Sequence, residues 1–409
     1  MKVTYIKSAT VVIEHNGVKV LCDPWLTDGI YYGSWFHYPQ LKFTAKDFED
    51  INYIYISHIH PDHCDVATLK DLPKTIPIII HDYEEKFLKN LLTKIGFEKI
   101  HEVPNRATFN LGPDFDVEIF AGDNCDPDVF ATVYATQKPE NYTKTRQIDS
   151  LAIFNGGGKV VVNSNDVPIN LIAKAFPYIV RKYPTIHCLL VSYSGAGPFP
   201  QTYRYVDKEK LEMAIYVAYN FLNYTIEYIR RLRPLVYIPY AGQYTLGGNL
   251  SGLNTYKGTL DIEGLPGELD TAIDRLGTPS KMILLNSGEN FDCDNMSPSK
   301  SFVPTDLMLR EKYIKEVLSL KKFPYQTDCY IPEKVDLLPK LTQAMGRMKE
   351  KQKAYGYYSP WKLYLDVGLD DFYVIPFDGG EVTKITADKD LTLPFVATEL
   401  DYSLMNMIL

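Results

Sequence analysis

Apolar residues in the first part of the chain fall into short runs with the alternating or near-continuous character of strands, separated by turn signals. The runs VTYI, ATVVIEH and VKVLCD lie between Lys2 and Asp23 and are broken by Asn16-Gly17. That pair favours positive φ, so it predicts a hairpin and an opening β-meander. The stretch INYIYI, residues 51–56, reads as a buried strand that stops at Ser57. A helical stretch around DVATLKDL comes next, then a second buried strand, IPIIIHD, and a helix, KFLKNLLTKIG, stopped by Gly96. Strand and helix alternating in this way predict a layered α/β domain.

Further strands are predicted at FDVEIF, SLAIFN and KVVVNSN, the last two joined by Gly156, Gly157 and Gly158. No helix follows those glycines, so they read as a hairpin and not as a phosphate-binding loop. HCLLVSYSGAGPFP is a strand running into a Gly/Pro loop. Asp207 is expected to cap a helix from about Lys208 to Arg233, ended by Pro234, and VYIPYAG and KMILLNSGE complete the strands. The polar stretch NMSPSKSFVP predicts a boundary between a domain at 1–295 and a C-terminal α+β lobe at 300–409. That lobe holds two helical stretches, DLMLREKYIKEVLSLKK and VDLLPKLTQAMGRMKEKQKAY, and the strand-like segments WKLYLDVG and DFYVIPF. It has two readings, a cover over a strand-end cavity or the contact surface of a homo-oligomer.

Composition narrows the function classes. A chain of 409 residues exceeds the size of one typical core, and 45% apolar with 23% charged residues is ordinary for a soluble globular protein. The net charge of −8 without a basic stripe argues against nucleic acid as a partner. No run is long and apolar enough for a signal peptide or a membrane span, so the expectation is a cytoplasmic protein acting on a small-molecule substrate. Six cysteines with no CxxC pair imply reduced thiols.

One feature of the composition is local. The chain has eight histidines, and three of them, His58, His60 and His63, fall in SHIHPDHCD at the end of a predicted buried strand. Residues two apart on an extended loop point the same way, so His58 and His60 can hold one metal while Pro61 turns the chain. Asp62 and His63 then face the same cavity. Imidazoles suit zinc or iron, and the Asp62 carboxylate suits a second, harder site, which gives one or two divalent metal ions among zinc, iron and manganese. Metals so placed lower the pKa of a bound water and polarise the bond it attacks. His187, inside a strand, and His15, His37, His81 and His101 read as structural or surface residues, His37 being the best outsider because of its loop position.

SHIHPDH resembles the metal-binding motif of the metallo-β-lactamase superfamily, which implies an αββα sandwich with its site at the strand ends. LCDPWL resembles the segment that places a supporting aspartate, matched by Asp23, and NSND the segment whose aspartate bridges two metals, matched by Asp166. DPWLTDGIYYGSWFHYP, YISHIHPDHCDVATLK, YSGAGPFPQTY and IPYAGQY together look like the metallo-β-lactamase-like domain of cytidine-monophosphate N-acetylneuraminate hydroxylases and their bacterial relatives, over roughly residues 1–250. More distantly, the chain is similar to ascorbate-phosphate lactonases and to the phospholipase D that releases N-acylethanolamines. Two departures stand out against that pattern. Where a further histidine is expected, the chain reads AGDNCDPD, so Asp126 or Asp123 stands in, with Cys125 a weaker alternative. Where the last histidine is expected, it offers Tyr240, Gln243 and Tyr244. A site poorer in histidine favours iron or manganese over zinc, or holds one tight metal.

Three functions follow. The first is a metal-dependent hydrolase in which His58, His60, His63, Asp62, Asp126 and Asp166 hold the metals, Asp62 also orients the hydroxide, and the bond attacked is an ester, lactone or phosphodiester of a sugar or nucleotide sugar. The second is an iron-dependent hydroxylase-like protein acting on a nucleotide sugar. It needs a separate electron donor, because no cysteine here has the paired His spacing of a Rieske cluster. The third is a non-catalytic scaffold of the same fold. Gly195, Ala196, Gly197, Tyr203 and Tyr240, after predicted strand ends, are candidate substrate-side residues.

Overall fold

In the strand β9 (Phe115–Ala121), Phe115, Val117 and Ile119 enter one hydrophobic core while Phe120 enters another. The same two-residue alternation holds in β10 (Ser150–Gly156), β11 (Lys159–Asn163) and β12 (Cys188–Ser192), each buried on both faces. It also holds in β1 (Lys2–Lys7), β2 (Thr10–His15) and β3 (Val18–Cys22), where Val11 and Ile13 face the shared core and Val12 the opposite one. Side chains on a strand alternate faces, so a strand covered on both sides has to be apolar throughout. The structure is a computed structural model, and it describes residues 1–122, 128–129, 149–327, 335–368, 371–385 and 394–409.

Three cores stacked in this way make the αββα sandwich expected from the sequence. One sheet runs β17-β16-β1-β2-β3-β5-β6-β7, with β5 at Tyr53–Tyr55, β6 at Ile78–His81, β7 at Ile100–Val103, β16 at Asn290–Asp292 and β17 at Ser297–Pro298. The other runs β15-β13-β12-β11-β10-β9-β8, with β8 at Ala107–Gly112, β13 at Val236–Tyr240 and β15 at Lys281–Met282, and β4 (Trp35–Phe36) pairs with β14 (Thr245–Leu246) as a separate two-stranded sheet. Helices α1 (Val66–Asp71) and α2 (Phe87–Ile95) cover the first sheet through Leu69, Leu88 and Leu92. Helices α3 (Phe176–Lys182), α4 (Asp207–Leu232) and α5 (Leu265–Arg275) cover the second through Ile179, Leu222, Ile229 and Leu269.

Topology places the site. β3 and β5 are parallel, so their C-terminal ends share an edge, and Asp23 N–H donates to Tyr55 O there at 2.9 Å. β10 is antiparallel to both β9 and β11, so its first residues lie beside the ends of those two neighbours. At this edge the sheets are tied by polar groups: Tyr55 Oη meets Ser150 Oγ at 2.9 Å, Ser150 Oγ donates to Ser57 O at 2.9 Å, and Asn165 Nδ2 donates to Ser150 O at 3.0 Å.

Local readings differ from the structure in three places. Asp207 is the first residue of α4 and bonds the Tyr256 hydroxyl; the position before the helix is Val206, which has no capping side chain. KMILLNSGE pairs only through Lys281–Met282, at the sheet edge. The stretch after Asp306 is a helix, α6, only over Leu307–Glu316, followed by a single turn at Leu318–Leu320.

Among the described residues the chain divides into two compact units, one extending through Lys321 and one beginning at Lys322. The second has a four-stranded sheet of Lys362–Asp366, Phe372–Pro376, Thr383–Ile385 and Phe395–Glu399, with helices Leu338–Tyr355 and Tyr402–Ile408. Its own core joins Leu341, Met345, Leu365, Tyr373 and Met405. No described helix is long and apolar enough to cross a membrane.

Phe154 is fully buried between the sheets, edge-on to Tyr55 at 6.1 Å between ring centroids. Phe154→Ala is expected to lower the unfolding free energy by about 3–5 kcal/mol through lost burial and the cavity left behind. Urea unfolding of the two proteins measures it.

Candidate metal centre

Residues 57–65 leave β5 and reverse direction before α1. After Pro61 the N–H groups of His63 and Cys64 both return to His60 O, at 3.0 and 2.8 Å. Asp65 then caps α1, its carboxylate accepting from the N–H groups of Ala67 and Thr68. A tight turn between a strand end and a capped helix fixes the backbone that carries all three histidines.

Asp23 orients two of them. It has no exposed surface, and its backbone is left-handed at φ 47°. Its Oδ1 accepts the Ser57 N–H at 2.7 Å, and its Oδ2 accepts Ser57 Oγ–H at 2.7 Å and His63 Nδ1 at 2.8 Å. Ser57 Oγ in turn meets His58 Nδ1 at 2.9 Å. The tautomers that donate from Nδ1 leave Nε2 of both His58 and His63 as lone pairs aimed into the cluster, the form a metal requires.

Those lone pairs converge with others. His58 Nε2 is 2.9 Å from His60 Nδ1 and 3.6 Å from Asp149 Oδ1. His63 Nε2 lies 3.3 Å from Asp166 Oδ2 and 3.7 Å from Asp62 Oδ2. One donor atom each from His58, His63 and Asp166 lies within 4.8 Å of the other two. Burial opposes charge on His63, yet the carboxylates of Asp166, Asp62 and Asp23 hold its pKa well above the ordinary value. Burial and His63 hold His58 well below it, so His58 is neutral. For Asp166, burial acts upward but the three histidines prevail and lower its pKa. A lone pair facing two carboxylate oxygens is favourable only with a proton or cation between them, so these residues fit a bound cation.

The Asp166 turn is built with equal care. Asn165 has φ 47°, a conformation asparagine tolerates well, and its N–H donates to Tyr240 Oη at 3.1 Å while Tyr240 O–H reaches Asn165 Oδ1 at 3.0 Å. Tyr240 also bonds Asn163 Oδ1. Its phenol is therefore committed to holding this turn. Gly195 packs on α4, where a Cβ would lie 2.2 Å from the Phe221 ring; Gly197 has open space around its Cβ position; Tyr203 is exposed and edge-on to Phe199. His37 is buried 4.0 Å from the Trp25 ring, outside the histidine cluster, and burial pushes it down to about 3. His187 Nδ1 accepts Val160 N–H, a structural role. Asp126, Asp123 and Cys125 lie outside the described residues.

Two residues that sequence reasoning passed over belong here. Tyr31 O–H donates to Asp62 Oδ1 at 2.7 Å. Its backbone (φ 50°, ψ 57°) and that of Tyr32 (φ 60°, ψ 31°) are left-handed, a strain of about 1–3 kcal/mol at each that persists only when surroundings enforce it. The glycines bracketing GIYYG, both at positive φ, were the available signal. Tyr31 leans on Trp35, which stacks on Tyr244 at 3.6 Å, so an aromatic wall adjoins Asp62. Asp149 lies one residue before β10, and the antiparallel pairing brings it to His58.

The sandwich, with its strand-end cluster of imidazoles and carboxylates, has the metallo-β-lactamase fold. Residues 2–121 match the family model described as beta-lactamase superfamily domain. A Mycobacterium tuberculosis protein named as a Rieske 2Fe-2S iron-sulfur protein is 26% identical over 250 residues, 59% of this chain and 44% of that one. The cytidine monophosphate-N-acetylneuraminic acid hydroxylase of Mus musculus is 24% identical over 254 residues, 60% of this chain and 39% of the other. The chain thus spans less than half the length of these curated relatives. Among solved structures, it is similar to isothiocyanate hydrolase from Delia radicum gut bacteria, at 15% identity and a TM-score of 0.47 over 71% of this chain and 99% of that one. It is also similar to a diiron β-hydroxylase from Streptomyces venezuelae, at 16% identity and a TM-score of 0.45 over 69% and 53%.

Asp23→Asn keeps the shape of the carboxylate but weakens its hold on His63 Nδ1. Metal affinity is expected to fall about 10–100-fold, as for other partners that orient metal-ligating histidines. Competition with a chromophoric chelator gives the value.

Proposed function

We propose that this chain is a metal-dependent hydrolase whose centre is formed by His58, His60, Asp62, His63 and Asp166, acting on an ester, lactone or phosphodiester. The observation that carries this reading is the convergence of His58, His63 and Asp166 donor atoms within 4.8 Å, with Asp23 fixing two of the imidazoles from behind. When bound, divalent cations supply an ionised water near neutral pH and a Lewis acid for the bond attacked.

The protein's own residues do the rest. Asp62 is held at one oxygen by Tyr31, which fixes the carboxylate plane and leaves Oδ2 on the His63 side to orient the attacking water. Tyr31, Trp35 and Tyr244 form a wall that excludes bulk water from that side. Tyr244 also lines a cavity of about 330 Å³ with Gln243, Tyr193, Thr255, Lys257 and Arg310. Its polar lining supports a hydroxylated or charged small molecule, in keeping with a sugar or nucleotide sugar.

A second reading, an iron-dependent hydroxylase drawing electrons from a separate donor, is favoured by the share of carboxylates in the cluster and by the hydroxylase named among the relatives. The two readings separate on a panel of lactones, carboxylic esters and phosphodiesters. We expect turnover of at least one class to fall by about three orders of magnitude or more on chelation and in His63→Ala, because Lewis-acid stabilisation contributes several kcal/mol. Turnover should return when metal is added back to the wild type alone. No hydrolysis on the panel, with reductant-dependent oxygen uptake by the iron-loaded chain, would favour the second reading.

A further inference from the structure

We propose that Asp149 is the third protein ligand of the cation held by His58 and His60, making this half of the centre a two-histidine, one-carboxylate site. The inference rests on the metal-centre reading above and deepens it.

Asp149 Oδ1 lies 3.6 Å from His58 Nε2, the nitrogen that also faces His60 Nδ1 at 2.9 Å. Its side chain is 10% exposed, and that of His58 is fully buried. Two donor atoms, one from His60 and one from Asp149, therefore approach His58 Nε2, while carboxylate oxygens of Asp62 and Asp166 approach His63 Nε2. Each half brings its own carboxylate oxygens, and Asp166 lies within reach of both His58 and His63.

The backbone at Asp149 is fixed by its neighbour. Ser150 pairs with Ala121 in the ladder, its Oγ donates to Ser57 O, and Tyr55 Oη meets the same hydroxyl. Ser57 is adjacent in sequence to His58 and bonded to it through Oγ. One short network thus sets Asp149 and His58 relative to each other, the kind of support a ligand pair requires. The strand register also explains why a residue so far along the chain serves here: β10 starts where β9 ends, at the edge where the sequence called for a replacement ligand. Two imidazoles and one carboxylate suit ferrous iron better than the all-imidazole set that suits zinc.

The test uses the full chain, stripped and reloaded anaerobically with iron, manganese or zinc, and reads bound metal per chain, affinity by chelator competition, and the visible spectrum after cobalt substitution. Wild type should take up two equivalents. Asp149→Asn should lose one of them or bind it at least about tenfold more weakly, with an altered cobalt spectrum and unchanged circular dichroism. Asp149→Glu should retain both. Asp149→His should also retain both and shift selectivity toward zinc by about tenfold or more. That last variant decides the matter if Asp149→Asn does not fold, since unchanged selectivity would overturn the assignment. So would wild-type affinity and stoichiometry in a folded Asp149→Asn chain. If the wild type itself takes up no metal, the metal-centre reading fails and this assignment with it, a result plainly different from an Asp149→Asn chain that binds like its parent.

Discussion

A carboxylate with no exposed surface has to be compensated inside the protein, and the compensation of Asp23 organises this edge of the sandwich. Its two oxygens take three donors, from Ser57 N–H, Ser57 Oγ–H and His63 Nδ1. Satisfying Asp23 therefore fixes the first residue of the histidine loop, the tautomer of His63 and, through Ser57 Oγ, the ring of His58. Burial raises the Asp23 pKa and His63 lowers it, so the pair shares its charge and neither group stands alone. The stabilisation is conditional, because removing either partner leaves the other buried and uncompensated.

The same edge concentrates unusual backbone. Asp23, Tyr31, Tyr32 and Asn165 all have positive φ, and each carries, or lies next to a residue that carries, a side chain directed at the cluster. Strain of this kind survives where neighbouring contacts over-determine the conformation. Here those contacts are the double hold of Tyr240 on the 163–165 turn, the stacked aromatics behind Tyr31, and the sheet ladder behind Asp23. A scaffold without chemistry gains nothing from maintaining them, which weighs against a purely structural role for this chain.

The cluster brings carboxylates in unusual proportion to imidazoles. Asp62 and Asp166 surround His63 Nε2, Asp149 approaches His58 Nε2, and Tyr31, packed on Trp35, bonds Asp62. Charge balance favours a divalent cation over a proton alone, and the hard oxygen donors bias which cation is held. Tyr244, stacked on Trp35, also borders the polar cavity lined by Gln243, Lys257 and Arg310.

Much of this was legible in the chain itself. The two-residue alternation and short turns determined the layered α/β sandwich, since a strand buried on both faces must be apolar and a hairpin needs its glycine. SHIHPDH determined where the donors cluster, because the spacing places His58, His60 and His63 on one short loop. Other features required the tertiary structure. Asp149 sits among residues that look like an ordinary strand start, and only the antiparallel register of β10 against β9 and β11 carries it to His58. Tyr240, which reads as a substrate-side residue, faces the Asn163–Asn165 turn because β11, β12 and β13 are parallel and their C-terminal ends share one edge. Local pattern decides which face a residue takes; which distant residue meets it there depends on strand order and register, and no local pattern encodes those.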